Sequence, residues 1–318
     1  NSNLLINKKN WNQIINPWKN GKLPHALLFH GPAGSGKEGH ALELAALLNC
    51  TAPGGEKPCG SCHSCKKTKS FQHEFVKLIF PLPRGKISSS HDSTMKAFRS
   101  EKILQDYLNL LKEKSIDPYY NIHVPGSSTI LINSIRELKH DISMSRANNA
   151  WQVVLIFEAE KLCVPNHASA NALLKILEEP PPQSVIILIS SYPNIILDTI
   201  HSRCQRLFFP PIKKEVIEKQ LIKSGMNPIK ASLVASISNG NIRLSRELKD
   251  NYSDLMGNLS IFLKSCFSNN PADWEKCIDV VSRLNNTDEN KLEQMFHCVK
   301  LFFRDIFYYS NTYSSDNI

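Results

Sequence analysis

The run Gly31-Pro-Ala-Gly-Ser-Gly-Lys37-Glu38 follows a short apolar stretch, Ala26-Leu-Leu-Phe29. It fits the phosphate-loop pattern G-x-x-x-x-G-K-[ST] everywhere but the last place. Gly31, Gly34 and Gly36 permit the tight backbone that gathers N–H groups around an anion, and Lys37 could reach outer phosphates. Glu38 stands where a Ser or Thr hydroxyl would hold Mg²⁺, and it sets a carboxylate against metal and phosphates. A second metal support should end a later core strand with an acidic pair. That strand ends Ile156-Phe157-Glu158. A ring replaces the anchoring Asp, while Glu158 stands where a water-activating base would. Hydrolysis relies on the ion to neutralise charge developing on the phosphoryl group, so none is expected of this chain. Whether ATP still binds, with or without Mg²⁺, stays open.

A second constellation reads C-x8-C-x2-C-x2-C over Cys50, Cys59, Cys62 and Cys65. Two-residue spacings let tight turns point successive sulfurs at one centre, and four thiolates complete a tetrahedral shell, so a structural Zn²⁺ is expected. The other five of the nine cysteines are scattered among apolar neighbours. An odd total with no visible export signal predicts a reducing, cytoplasmic setting. A third candidate is Arg203 in Ser202-Arg203-Cys204. Spacing leaves it as either a surface ion-pair partner or an arginine finger supplied to a neighbouring subunit's ATP.

These side chains need elements to hold them. The spacing predicts helices over 11–20, 37–49, 130–144 and 168–178, and strands at 26–29, 76–80, 153–157 and 185–189. Uninterrupted apolar strands alternating with helices imply a parallel sheet covered on both faces. Residues 83–128, opening with Ser88-Ser-Ser90, read as a partly mobile insertion with one helix. Beyond Pro210-Pro211 strand signals cease and the chain turns all-helical. Nothing approaches a membrane-spanning apolar run. The net charge of +9 leans toward polyanion partners.

Several pieces then coincide in order: Pro24-His-Ala-Leu-Leu-Phe-His-Gly-Pro-Ala-Gly-Ser-Gly-Lys37, the four-cysteine insert, Phe157-Glu-Ala-Glu-Lys-Leu162, Ala170-Asn-Ala-Leu-Leu-Lys-Ile-Leu-Glu-Glu-Pro-Pro181 and His201-Ser-Arg-Cys204. Over residues 20–210 the chain resembles the bacterial clamp-loader AAA+ subunits, the gamma/tau and delta-prime subunits of DNA polymerase III. The resemblance implies an AAA+ core over 1–211 with a zinc module at 50–65, a helical lid over 212–252 and an all-α collar over 253–318. It implies that Arg203 serves an adjacent subunit's ATP and that Arg243 senses nucleotide. The implied partners are the other clamp-loader subunits in a five-subunit ring, the sliding clamp, and primed DNA through the assembled complex. Glu38 and Phe157 set the chain on the delta-prime side, as a stator without ATPase activity of its own. An ATP-hydrolysing gamma/tau-like motor and a zinc-stabilised DNA-binding protein are the competing readings.

Overall fold

The computed structural model describes residues 4–89, 92–144, 150–287 and 289–313. The chain forms two compact units, Asn1–Pro211 and Ile212–Ile318. The first opens with α1 (Lys8–Lys19), β1 (Ala26–His30), α2 (Lys37–Leu48), α3 (His63–Lys69) and β2 (Val76–Ile79). It continues with α4 (Glu101–Ile116), α5 (Ile132–Met144), β3 (Gln152–Ile156), α6 (Ala168–Glu178), β4 (Ser184–Ser190), the short α7 (Asp198–His201) and β5 (Gln205–Phe208).

The strands form one parallel sheet in the order β2-β3-β4-β1-β5. Side chains alternate across it, as the pleat requires. Leu27, Phe29, Val153, Leu155 and Ile187 face α1 and α2, while Ala26, Leu28, Val154, Ile156 and Ile186 face α5 and α6. Both faces are therefore covered, which is why these strands carry consecutive rather than alternate apolar residues through their centres. β1 lies between β4 and β5, yet the chain leaves it for β2 at the far edge before returning. Such a reversal opens a crevice at the carboxyl ends of the strands, where ligands bind in open α/β sheets.

Three differences from the sequence expectations matter. The segment 83–128, expected as partly mobile, packs against the core (Ser90 itself lies outside the described residues). Its helix α4 begins at an N-cap, Ser100, and lays Tyr107, Leu110 and Leu111 on the α2 side of the sheet. Ala97 and Val124 join Leu82 and Leu131 in a small core of their own. Secondly, α3 starts inside the cysteine cluster, because the Cys62 sulfur accepts the Cys65 N–H as an N-cap. Thirdly, β5 was not anticipated, since only Leu207 of its four residues is buried.

The second unit holds α8 (Lys214–Lys223), α9 (Pro228–Ile237), α10 (Ile242–Asp250), α11 (Tyr252–Phe267), α12 (Pro271–Thr287) and α13 (Glu289–Tyr313), with no strand among its described residues. α8, α9 and α10 pack on one another, and α11 packs against α12 and α13.

Candidate functional site

The glycine loop leaves the carboxyl end of β1 and delivers the chain into α2. Gly31 needs its missing side chain: at φ +147° a Cβ there would stand 2.1 Å from the Phe209 carbonyl oxygen. Gly34 and Gly36 take left-handed φ of 70° and 88°, the alternation that builds an anion nest. Lys37 is buried, and its ammonium donates to the Gly31 and Pro32 carbonyls, each at 2.7 Å, and to Ser191 Oγ at 3.3 Å. Ser191 follows β4, so the lysine ties two neighbouring strand ends together. Sequence reasoning had no reason to single it out.

The first turn of α2 is covered by the N-terminal segment and by residue Tyr119 after α4. The Leu5 N–H donates to Tyr119 Oη at 2.9 Å, and the Asn7 N–H donates to His40 Nε2 at 2.9 Å. Burial lowers His40 to about 4, so the ring is neutral at pH 7. Because Nε2 accepts, the proton sits on Nδ1 and is donated to the Gly36 carbonyl oxygen at 2.7 Å. This has a testable sign. An unfolded histidine titrates near 6.5, so the unfolded chain takes up a proton between about 6.5 and 4 that the native chain refuses. Stability is expected to fall as pH drops through that window, by up to about 3 kcal/mol from this group. Urea midpoints between pH 7 and 4.5 should show a shallower acid limb for His40→Gln.

Positions 38 and 157, where the sequence looks for metal supports, are engaged by other groups. Phe157 stacks on Phe80, with ring centroids 4.3 Å apart and planes 14° from parallel, and Tyr107 of α4 meets Phe80 edge-on at 6.3 Å. Glu38 is ion-paired to Lys114 of α4. The Lys114 side chain has no solvent exposure, whereas Glu38 retains 28%. Lys114 also donates to the Tyr120 carbonyl oxygen at 2.6 Å and lies 5.8 Å from the Phe157 ring centroid. The carboxylate expected to repel phosphates is thus neutralised from within. An ammonium and an aromatic ring therefore stand at positions 38 and 157, where the sequence looks for magnesium supports. Glu158 follows at a left-handed φ of 48°.

The four cysteine sulfurs lie within 4.8 Å of one another. A tetrahedral ion with bonds of about 2.3 Å spaces its sulfurs about 3.8 Å apart. Cys59 and Cys65 already stand 3.9 Å apart. Backbone N–H groups of Cys59, Cys62 and Cys65 point at the sulfurs of Cys50, Cys59 and Cys62 at 3.3, 3.3 and 3.4 Å. Such bonds favour thiolates. At Cys62 burial works upward, but the N–H groups of Cys65 and Thr51 outweigh it and bring the thiol to about 5. Burial pushes Cys65 the other way, up. The donor set fits a four-coordinate metal ion.

Arg203 follows α7 with its guanidinium at the surface, 34% exposed. Nη2 donates to Glu178 Oε1 at 2.7 Å and Nη1 to the Thr199 carbonyl oxygen at 2.8 Å. Glu178 ends α6, so one helix aims the arginine that follows another. Arg243, in the second unit, lies in the first turn of α10 and is 4.0 Å from Glu247.

Against this geometry the comparisons are specific. The family described as DNA polymerase III, delta subunit, matches residues 6–213. The chain belongs to that family. The delta' subunit of Bacillus subtilis strain 168 is 30% identical over 238 residues, covering 75% of this chain and 57% of its own. The tau subunit of the same organism is 26% identical, covering 75% and 35%. The delta' subunit of Escherichia coli K12 is 25% identical, covering 64% and 48%. The chain therefore spans about half the length of the delta' relatives it matches. A solved gamma-subunit-related protein of Thermotoga maritima aligns over 90% of this chain and 77% of its own, at 17% identity and a TM-score of 0.41.

In this family member, then, Gly31, Gly34, Gly36 and Lys37 share one loop after β1, Glu158 follows β3 with β4 between the two strands, and the cysteines gather beside α2. Arg203 lies beside the end of α6. Lys114, Tyr119, Ser191 and His40 were missed. The signal for Lys114 is slight: a lysine in an otherwise apolar-periodic helix, far from its partner in sequence.

Proposed function

We propose that this chain is a delta-prime-like stator of a clamp loader, the AAA+ subunit that hydrolyses no ATP itself and presents Arg203 to a neighbour's ATP while a sliding clamp is loaded onto primed DNA. The observation that carries the reading is the contrast between two ends of one sheet. Where magnesium would be held, the Phe80–Phe157 stack and the Lys114–Glu38 pair fill the space. At the other end, Arg203 stays at the surface, held by a carboxylate and a backbone carbonyl that a triphosphate could outcompete. Names of the delta' and tau relatives support a place among clamp-loader subunits.

The remaining parts follow in the same reading. Cys50, Cys59, Cys62 and Cys65 hold a structural zinc ion. Residues 212–252 act as a lid carrying Arg243, and 253–318 as a collar that joins a five-subunit ring; residues 314–318 lie outside the described residues. Exposed Phe267, Ile278, Phe303 and Phe307 give the collar an apolar surface of the kind that marks subunit contacts. Among the described residues no helix is long and apolar enough to cross a membrane, which suits a cytoplasmic bacterial replication factor.

Incubating the purified chain with Mg-ATP is expected to give no turnover above a blank, and mixing it with motor and delta subunits a discrete complex by size exclusion. Turnover near 1 s⁻¹ or faster, within the ordinary range of enzymes, would overturn the stator reading in favour of a motor. Tight duplex binding by the lone chain, without complex formation, would favour the DNA-binding reading instead.

A further inference from the structure

We propose that Glu178 is the positioning residue for Arg203, and that it keeps its bond to the guanidinium while the arginine acts on a neighbour's ATP. This rests on the arginine-finger reading above and names the residue that aims the finger.

Three observations converge. The first is what carries the arginine. Arg203 follows α7, a helix of only four residues. Its backbone is well fixed, because Ile200 is buried in the core and the Arg203 N–H donates to the Ile200 carbonyl oxygen at 3.1 Å. The side chain beyond is long and flexible, and ordering it costs rotamer freedom. Its tip is held by the Thr199 carbonyl oxygen, 2.8 Å from Nη1, and by Glu178 Oε1, 2.7 Å from Nη2. Thr199 belongs to the arginine's own turn. Among the described residues Glu178 alone ties the guanidinium to another element.

The second observation is where Glu178 stands. It is the last residue of α6, and the C-terminal end of a helix favours cations over carboxylates. The charge is thus poorly placed for the helix that bears it. Lys175 lies one turn earlier on the same helix, yet Glu178 pairs with Arg203, 25 positions away in sequence. Leu173, Ile176 and Leu177 bury the face behind it in the core. The carboxylate therefore rests on a rigid element, as a group that aims another must.

The third is a count of donors. A guanidinium has five N–H groups in a fixed fork. Nη1 serves Thr199 and, at 3.4 Å, Ser202 Oγ, while Nη2 makes one bond to Glu178. The Nε–H and the second Nη2–H make no hydrogen bond among the described residues. They sit on neighbouring nitrogens and can meet two phosphate oxygens together. A triphosphate could outcompete the carboxylate, but it has no need to. With Glu178 in place the fork is already oriented when charge develops on the phosphoryl group.

The test is ATP hydrolysis by the reconstituted clamp loader, followed against ATP concentration, with this chain as wild type, Glu178→Ala, Glu178→Gln, Arg203→Ala or the double variant Arg203→Ala/Glu178→Ala. The Arg203–Glu178 pair is exposed, so the variants are expected to fold and to enter the ring, which size exclusion checks. Glu178→Ala is expected to lower kcat on the order of tenfold and to leave KM within about twofold, because aim matters most in the transition state. Glu178→Gln keeps an oxygen that accepts from Nη2, and its kcat should return to within about threefold of wild type. In the Arg203→Ala background Glu178→Ala is expected to change nothing further. Four results overturn the proposal: a wild-type kcat in Glu178→Ala, a Glu178→Gln rate no better than that of Glu178→Ala, a further loss in the double variant, or a lower KM for ATP in either Glu178 variant, the mark of a competitor that phosphate must displace. Arg203→Ala alone reports separately on the finger reading. Unchanged turnover there refutes that reading whatever the Glu178 variants show, whereas a loss there beside an unaffected Glu178→Ala sinks only the positioning role.

Discussion

ATP hydrolysis by a reconstituted clamp loader is expected to fall by up to about 10³-fold when this chain carries Arg203→Ala, the range in which arginine fingers act. Assembly of the ring and folding of the chain should survive. The Arg203–Glu178 pair is exposed at 34% and 48%, and exposed pairs contribute little to stability, about 1 kcal/mol at most. The effect therefore belongs to the neighbour's reaction and not to this chain's fold. Arg203→Lys should rescue little, because a planar fork meets two oxygens at once and an ammonium does not. Steady-state turnover of the mixed ring, measured beside the circular dichroism melt of the isolated variant, separates the two roles. An unchanged turnover would leave Arg203 as nothing more than the cap of a surface ion pair with Glu178.

What the sequence disclosed and what it hid divide along the distance between interacting residues. The glycine loop and the cysteine cluster were readable because each is a local backbone device, with its chemistry set within one short run. The parallel sheet was readable because β1, β3 and β4 carry uninterrupted apolar runs of four or five residues, as strands with two covered faces do. β5 escaped because its exposed Gln205 and Arg206 carry no such pattern. Glu38 and Phe157 were recognisable as departures, but only as losses. The partner of Phe157 is Phe80, after β2, and that of Glu38 is Lys114 of α4, a pair that spans 76 positions of sequence. No periodicity reports such a contact. The segment 83–128 therefore looked like an insertion without a task, although Tyr107 and Lys114 on its helix pack on Phe80 and pair with Glu38.

The cysteine module carries the second large effect, and its direction follows from what a closed metal shell does to a small segment. Residues 50–65 contain little apolar material of their own, and only Cys65 among the four sulfurs is buried. Its thiol approaches the Ala46 carbonyl of α2 at 4.0 Å, so the module is fastened to the helix that carries the phosphate loop. Without an ion, neighbouring sulfurs cannot all stay ionised side by side, nothing draws them to one centre, and the turn would have no core to hold it. Binding and folding are then one event, as in small zinc domains. One zinc per chain is expected on elemental analysis of the purified protein. Cys62→Ser removes a metal ligand while its hydroxyl can still cap α3, and it should lower the melting temperature of the first unit by roughly 10 °C. Prolonged chelation of the unmodified chain should do the same, reversibly on adding Zn²⁺ under reducing conditions. A chelated chain that melts at the untreated temperature, with its thiols still reduced, would remove zinc from the account and leave the four sulfurs as neighbours only.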